Sequence, residues 1–70
     1  MINITLNGDP HKVENGQSLF DLLQHLKLDP KKVAVERNLE IVPKSTYQDI
    51  KLKEADKLEI VHFIGGGKTL

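Results

Sequence analysis

Apolar and polar residues alternate from the start of the chain. Ile2-Asn3-Ile4-Thr5-Leu6 has the period-two pattern of a half-buried strand, with Ile2, Ile4 and Leu6 inward. Asn7-Gly8 follows, a strong hairpin signal because both residues accept positive φ. Asp9-Pro10 reads as a lengthening of that turn, His11-Lys12-Val13 as the returning strand, and residues 14–17 as a loop. The period then changes. Ser18 is placed to cap a helix, with Asp21 three positions on completing a form of the capping box. Leu19, Leu22, Leu23 and Leu26 recur at helical spacing, and Gln24, His25 and Lys27 fall on the polar side. Leu28 is expected under the helix end, and Asp29-Pro30 to stop it.

Val33-Ala34-Val35-Glu36-Arg37 is rich in β-branched residues and predicts a third strand. Asn38 begins a turn, although Leu39-Glu40 is poor turn chemistry. Ile41-Val42 predicts a short strand that Pro43 confines to an edge or ends. Residues 44–49 read as an irregular connection with one 3₁₀ turn, Ile50-Lys51-Leu52 as a brief edge strand, and Glu54-Ala55-Asp56 as a turn. Residues 57–63 form the last strand, with Leu58, Ile60 and His62 on one face and Glu59, Val61 and Phe63 on the other. One helix covers only one face of a small sheet. Leu58 and Ile60 are therefore assigned to the core, and Val61 and Phe63 to an open face. The order ββαββ(β) predicts an α+β chain of β-grasp type: a mixed sheet of four to five strands, the helix on one face, and the last strand inserted beside the first. The expected division is a domain over residues 1–64 and a flexible glycine-rich tail over residues 65–70.

That tail begins Gly65-Gly66-Gly67. Glycine loses more backbone entropy on ordering than any other residue, so a run of it seldom serves a packed core. Its use here is the missing side chain, which lets the thread enter a narrow channel and present a carboxylate at the far end. Gly67-Lys68-Thr69 is no P-loop: that motif needs glycine five residues earlier, where His62 stands, and a helix after it.

Composition narrows the chemistry. The 70 residues include no cysteine, which removes disulfides, thiolate metal sites and a cysteine nucleophile. Ten basic and ten acidic residues cancel, leaving no basic footprint for nucleic acid. No apolar run approaches membrane-spanning length, and Met1 leads directly into a strand pattern, so a cytoplasmic setting is expected. His11, His25 and His62 lack metal-ligand spacing, and no Ser/His/Asp constellation stands out. The chain reads as a partner or substrate of enzymes rather than as an enzyme.

Four stretches together resemble the ThiS-type sulfur carriers of thiamine biosynthesis, members of the ubiquitin-like β-grasp superfamily. They are Ile2–Leu6 with Asn7-Gly8; Ser18-Leu19-Phe20-Asp21-Leu22-Leu23; Val33 to Asn38 leading into Ile41-Val42-Pro43; and Lys57-Leu58-Glu59-Ile60-Val61 ending in Gly66-Gly67. The resemblance implies that a glycine carboxylate is the working group. An E1-like adenylyltransferase (ThiF-type) would join it to AMP from ATP. A cysteine-derived persulfide would then replace AMP to give a thiocarboxylate, and a thiazole synthase (ThiG-type) would take the sulfur. On this reading Gly67 carries sulfur, Gly65 and Gly66 give access, and Val61, Phe63 and Ile64 help dock partners. No cofactor, metal, nucleic acid or membrane is implied; ATP belongs to the adenylating partner.

The sequence departs from that pattern in three places. Lys68-Thr69-Leu70 follow the glycines, so the reactive form is expected to require their removal. Leu39 and Ala55 stand at turn positions where the family often has glycine. Related readings are a molybdopterin-synthase-type sulfur carrier, a ubiquitin-like modifier whose glycine joins target lysines, and an interaction module whose tail is inert.

Overall fold

The computed structural model describes residues 1–64 and 68–69. Strand β1, Ile2–Leu6, buries Ile2 and Ile4 and half-buries Leu6. Asn7 and Gly8 take φ of +49° and +86°, and the antiparallel ladder to β2, Asp9–Val13, closes at Leu6↔Asp9. The turn is thus only two residues long, and Asp9-Pro10 belong to β2 instead of lengthening it. Pro10 is tolerated opposite Thr5 because β2 is an edge strand, where a missing N–H need break no ladder.

Helix α1, Leu19–His25, starts on a reciprocal capping box. The Ser18 hydroxyl accepts from the Asp21 N–H at 3.0 Å, and the Asp21 carboxylate accepts from the Ser18 N–H at 3.2 Å. Leu19, Leu22 and Leu23 are fully buried. The helix ends before Asp29-Pro30. Lys27 enters the left-handed region at φ +62°, its N–H bonds Gln24 O, and the Leu28 N–H bonds Leu23 O. That Schellman pairing satisfies the last carbonyls and turns Leu28 back onto the core. Asp29 instead caps a 3₁₀ turn over Pro30–Lys32, accepting from the Lys31 N–H at 2.9 Å.

Strand β3, Val33–Arg37, reverses at Asn38 and Leu39, both at positive φ, into β4, Glu40–Ile41. The latter begins one residue earlier than the apolar pair Ile41-Val42 suggests, although the Val42 N–H still reaches Val35 O at 2.9 Å. A 3₁₀ turn occupies Lys44–Thr46. Ile50-Lys51-Leu52 is not a strand. Its single bridge is Ser18↔Lys51, and Ile50 O and the Leu52 N–H bond Leu19 and Gln17, so the segment is tied to the helix start.

Strand β5, Lys57–Ile64, lies in the centre of the order β2-β1-β5-β3-β4. It runs parallel to β1 at Thr5↔Lys57 and Leu6↔Leu58, and antiparallel to β3 from Val33↔His62 to Arg37↔Leu58. One face of this sheet meets α1 in a core of Ile2, Ile4, Val13, Leu19, Leu22, Leu23, Val33, Val35, Val42, Tyr47, Leu52 and Leu58. Burial raises the pKa of Tyr47, whose hydroxyl donates to Val33 O at 3.2 Å. A two-residue strand β6, Lys68–Thr69, pairs antiparallel with the end of β5 at Phe63↔Thr69 and Ile64↔Lys68.

Candidate functional site

The site is built on β5, because that strand leads into the glycines. Its first half is fastened on both sides by asparagine side chains. Asn7 continues the β1 ladder past its last residue: its Oδ1 accepts from the Ile60 N–H at 2.7 Å and its Nδ2 donates to Ile60 O at 3.2 Å. On the other side, Asn38 Oδ1 accepts from the Lys57 N–H at 2.9 Å, while the Asn38 N–H donates to Lys57 O at 2.8 Å. A carboxamide, with one acceptor and one donor group, can replace a strand residue in this way.

Asp56, 5% exposed, holds the start of β5. Its carboxylate accepts from Arg37 Nε at 3.0 Å, Asn38 Nδ2 at 3.2 Å and the Lys53 N–H at 2.9 Å. Burial pushes its pKa upward, but these donors and the Arg37 charge outweigh it, and the net shift is below the ordinary carboxylate value. Sequence reasoning missed all three residues. The signal for Asn7 and Asn38 was their place in turns, which gives no hint of a partner 53 or 19 residues away.

On the open face, strand alternation and register group Asn3, Thr5, Lys57, Glu59, Val61, Ala34, Glu36 and Ile41. Val61 is 38% exposed there, opposite Ala34. Ile41, at 69% exposure opposite Glu36, adds an apolar position that the sequence reading placed in a strand but not in the docking set. Glu36 and Glu59 face each other directly, a like-charge pair beside these apolar residues. Phe63 and Ile64 continue β5 toward the tail. Gly65, Gly66 and Gly67 lie outside the described residues.

Among the described residues, no three of His, Cys, Asp and Glu are grouped to share a metal ion, and no helix is long and apolar enough to cross a membrane. The surface grooves are open. One of about 500 Å³ is lined by Phe20, Asp29, Pro30, Lys31, Lys44, Ser45, Tyr47 and Gln48, a set that assembles no nucleophile with its base.

Comparison with known proteins settles the family. A model of the ThiS family matches residues 4–67, nearly the whole chain. The chain belongs to the ThiS family. The sulfur carrier protein ThiS of Bacillus subtilis is 43% identical over 65 residues, covering 91% of this chain and 98% of that protein. The crystal structure of thiamine biosynthesis protein ThiS from Geobacter metallireducens superimposes with a TM-score of 0.81 at 32% identity, covering 94% of this chain and all of that one. The β-grasp fold expected from the element order is therefore the observed one. A thiazole synthase of Magnetococcus marinus is 51% identical over 67 residues, 96% of this chain but 21% of that protein. The ThiS-family chain thus spans about a fifth of the length of the thiazole synthase it matches.

Proposed function

We propose that this chain is a sulfur carrier of thiamine biosynthesis, acting through a glycine carboxylate rather than as a catalyst. The observation that carries the reading is the extent of the family match, which runs from β1 through the glycines and ends at residue 67. Near end-to-end similarity to a protein named as a sulfur carrier supports it. Gly67, freed of Lys68-Thr69-Leu70, is the reacting residue, and Gly65 and Gly66 form its side-chain-free approach.

The chemistry follows from the carboxylate. An E1-like adenylyltransferase joins one oxygen to AMP from ATP and releases pyrophosphate, making the acyl carbon electrophilic. A persulfide sulfur attacks that carbon and AMP leaves. A thiol then reduces the remaining S–S bond, leaving a thiocarboxylate on Gly67. A thiazole synthase is the acceptor we assign, because proteins of that name contain a stretch about half identical to this chain. Val61 and the strand beyond it form the docking face beside the tail. The pinned base of β5 gives partners a rigid handle while the glycines supply reach.

Intact mass of the protein isolated from its own cells tests this reading. The expected species ends at Gly67, with a fraction in which sulfur replaces one oxygen. A chain that always keeps Lys68-Thr69-Leu70 and never gains sulfur sinks the proposal. So does a non-cleavable full-length chain that still supports thiazole formation in a reconstituted system.

A further inference from the structure

Charge is balanced over the whole chain but not in space. Just after α1, Lys27, Lys31 and Lys32 stand close together in sequence with one acid, Asp29. The fold brings a fourth lysine to them, since Lys44 Nζ donates to Lys31 O at 2.7 Å. All four lysines are exposed. Against these four bases and one acid, the rest of the chain holds six bases and nine acids.

The cluster sits where β5 ends. The 3₁₀ turn that carries Lys31 and Lys32 packs against β5, and the next residue, Val33, is in register with His62. Leu28, beside Lys27, lines a groove together with His62. Lys31 and Lys44 also border the open groove of about 500 Å³, whose Tyr47 hydroxyl is tied to Val33 O. The end of the sheet at which β5 leads toward the glycines is therefore a grooved basic surface. The open face beside it carries the like-charged pair Glu36 and Glu59.

We propose that this basic end docks an acidic segment of the thiazole synthase that accepts the sulfur. The choice of partner rests on the carrier reading above. Attraction at the lysines and repulsion at Glu36 and Glu59 give the acidic segment one orientation. A protein surface fits better than a nucleic acid, because Asp29 interrupts the patch and its aromatic residues are not presented for stacking: Phe20 is half-buried and Tyr47 buried. Placed at the root of the tail, the contact raises the concentration of the glycines at the acceptor.

The test is calorimetric titration of the full chain with purified thiazole synthase at low and high salt. Binding is expected to weaken as salt rises. Reversing two charges together, Lys31→Glu with Lys32→Glu, should weaken it about tenfold at low salt and flatten the salt dependence. Lys53→Glu, a reversal at the opposite end of the sheet, should leave affinity within about twofold. These lysines are exposed, so the variants spare the core. Binding that ignores both salt and the double reversal, or that falls as far with Lys53→Glu, overturns the basic docking and leaves the carrier reading standing. No binding by the unaltered chain overturns the assigned partner and the docking together, while the mass of the isolated protein judges sulfur loading independently. A single-stranded RNA that binds more tightly than the synthase, and is lost on the double reversal, gives the surface to nucleic acid and also overturns the proposal.

Discussion

Two hairpins flank β5, and each turns on asparagine followed by a second left-handed residue. In the β1–β2 hairpin the pair is Asn7-Gly8, at φ +49° and +86°; in the β3–β4 hairpin it is Asn38-Leu39, at +53° and +72°. In both, the asparagine reaches β5 with its carboxamide, Asn7 at Ile60 and Asn38 at Lys57. They differ in the second residue. Gly8 has no Cβ and takes its conformation without strain, whereas Leu39 takes a similar one with a branched side chain that is 87% exposed. They differ also in reinforcement, because only Asn38 is held in turn by Asp56. On the second side only the asparagine suits a left-handed conformation, and a hydrogen-bonded network at the base of the turn holds that asparagine while Leu39 carries the strain.

The largest expected effect comes from removing that network. Asp56→Ala leaves Arg37, Asn38 and the Lys53 N–H without their shared acceptor and should cost about 2–3 kcal/mol in urea unfolding, with Arg37 partly solvated. Its pH signature has a definite sign. The carboxyl pKa is lower in the folded protein, so its stabilisation is complete above the unfolded value, about 4, and is lost as pH falls through the folded value. Asp56→Asn should flatten that acid limb; an unchanged limb would show that Asp56 does not set it.

Next come the two asparagines. Asn38→Ala and Asn7→Ala should each destabilise by about 1–2 kcal/mol, Asn38 more because its carboxamide also meets Asp56. Equal losses would contradict the asymmetry. Amide exchange should report the sites separately, accelerating at Ile60 in Asn7→Ala and at Lys57 in Asn38→Ala.

The second turn residues should respond in opposite directions. Gly8→Ala should cost about 1 kcal/mol, although open space surrounds its missing Cβ, because the penalty is in φ. Leu39→Gly should stabilise by a smaller amount, up to about 1 kcal/mol, because relief of strain is partly offset by glycine's greater freedom when unfolded. A loss of stability in Leu39→Gly would mean that the leucine makes contacts outweighing its strain. The smallest effect is on the open face. Glu59→Gln should relieve repulsion with Glu36 by a few tenths of a kcal/mol at low salt, fading as salt rises.

Much of this architecture was legible because local chemistry and fold agree. Period-two residues gave β1, β-branched residues gave β3, the leucine spacing gave α1, and Ser18 with Asp21 marked its start. The errors occurred where tertiary context outweighs local preference. Asp9-Pro10 looks like turn chemistry but lies in an edge strand that does not need the proline N–H. Lys27 ends α1 in a conformation usually given to glycine, leaving Asp29-Pro30 to begin the following turn. Leu39 disguised a two-residue hairpin, and with it the start of β4. In the site, alternation along β5 placed Val61 on the open face. Ile41 joins that face only through its pairing with Glu36, and the anchoring by Asn7 and Asn38 spans separations that no local pattern encodes.

The central position of β5 also sets an order of events. The β1–β2 hairpin, α1 and the β3–β4 hairpin can each form from neighbouring residues, but no described strand pairing joins β1 directly to β3. The sheet becomes continuous only when β5 enters between them, closing contacts 53 residues apart in sequence between Asn7 and Ile60. Such long closures slow folding. On the ribosome, the two outer parts of the sheet therefore emerge before the strand that joins them, and the strand that leads to the glycines is also the one that makes the sheet continuous.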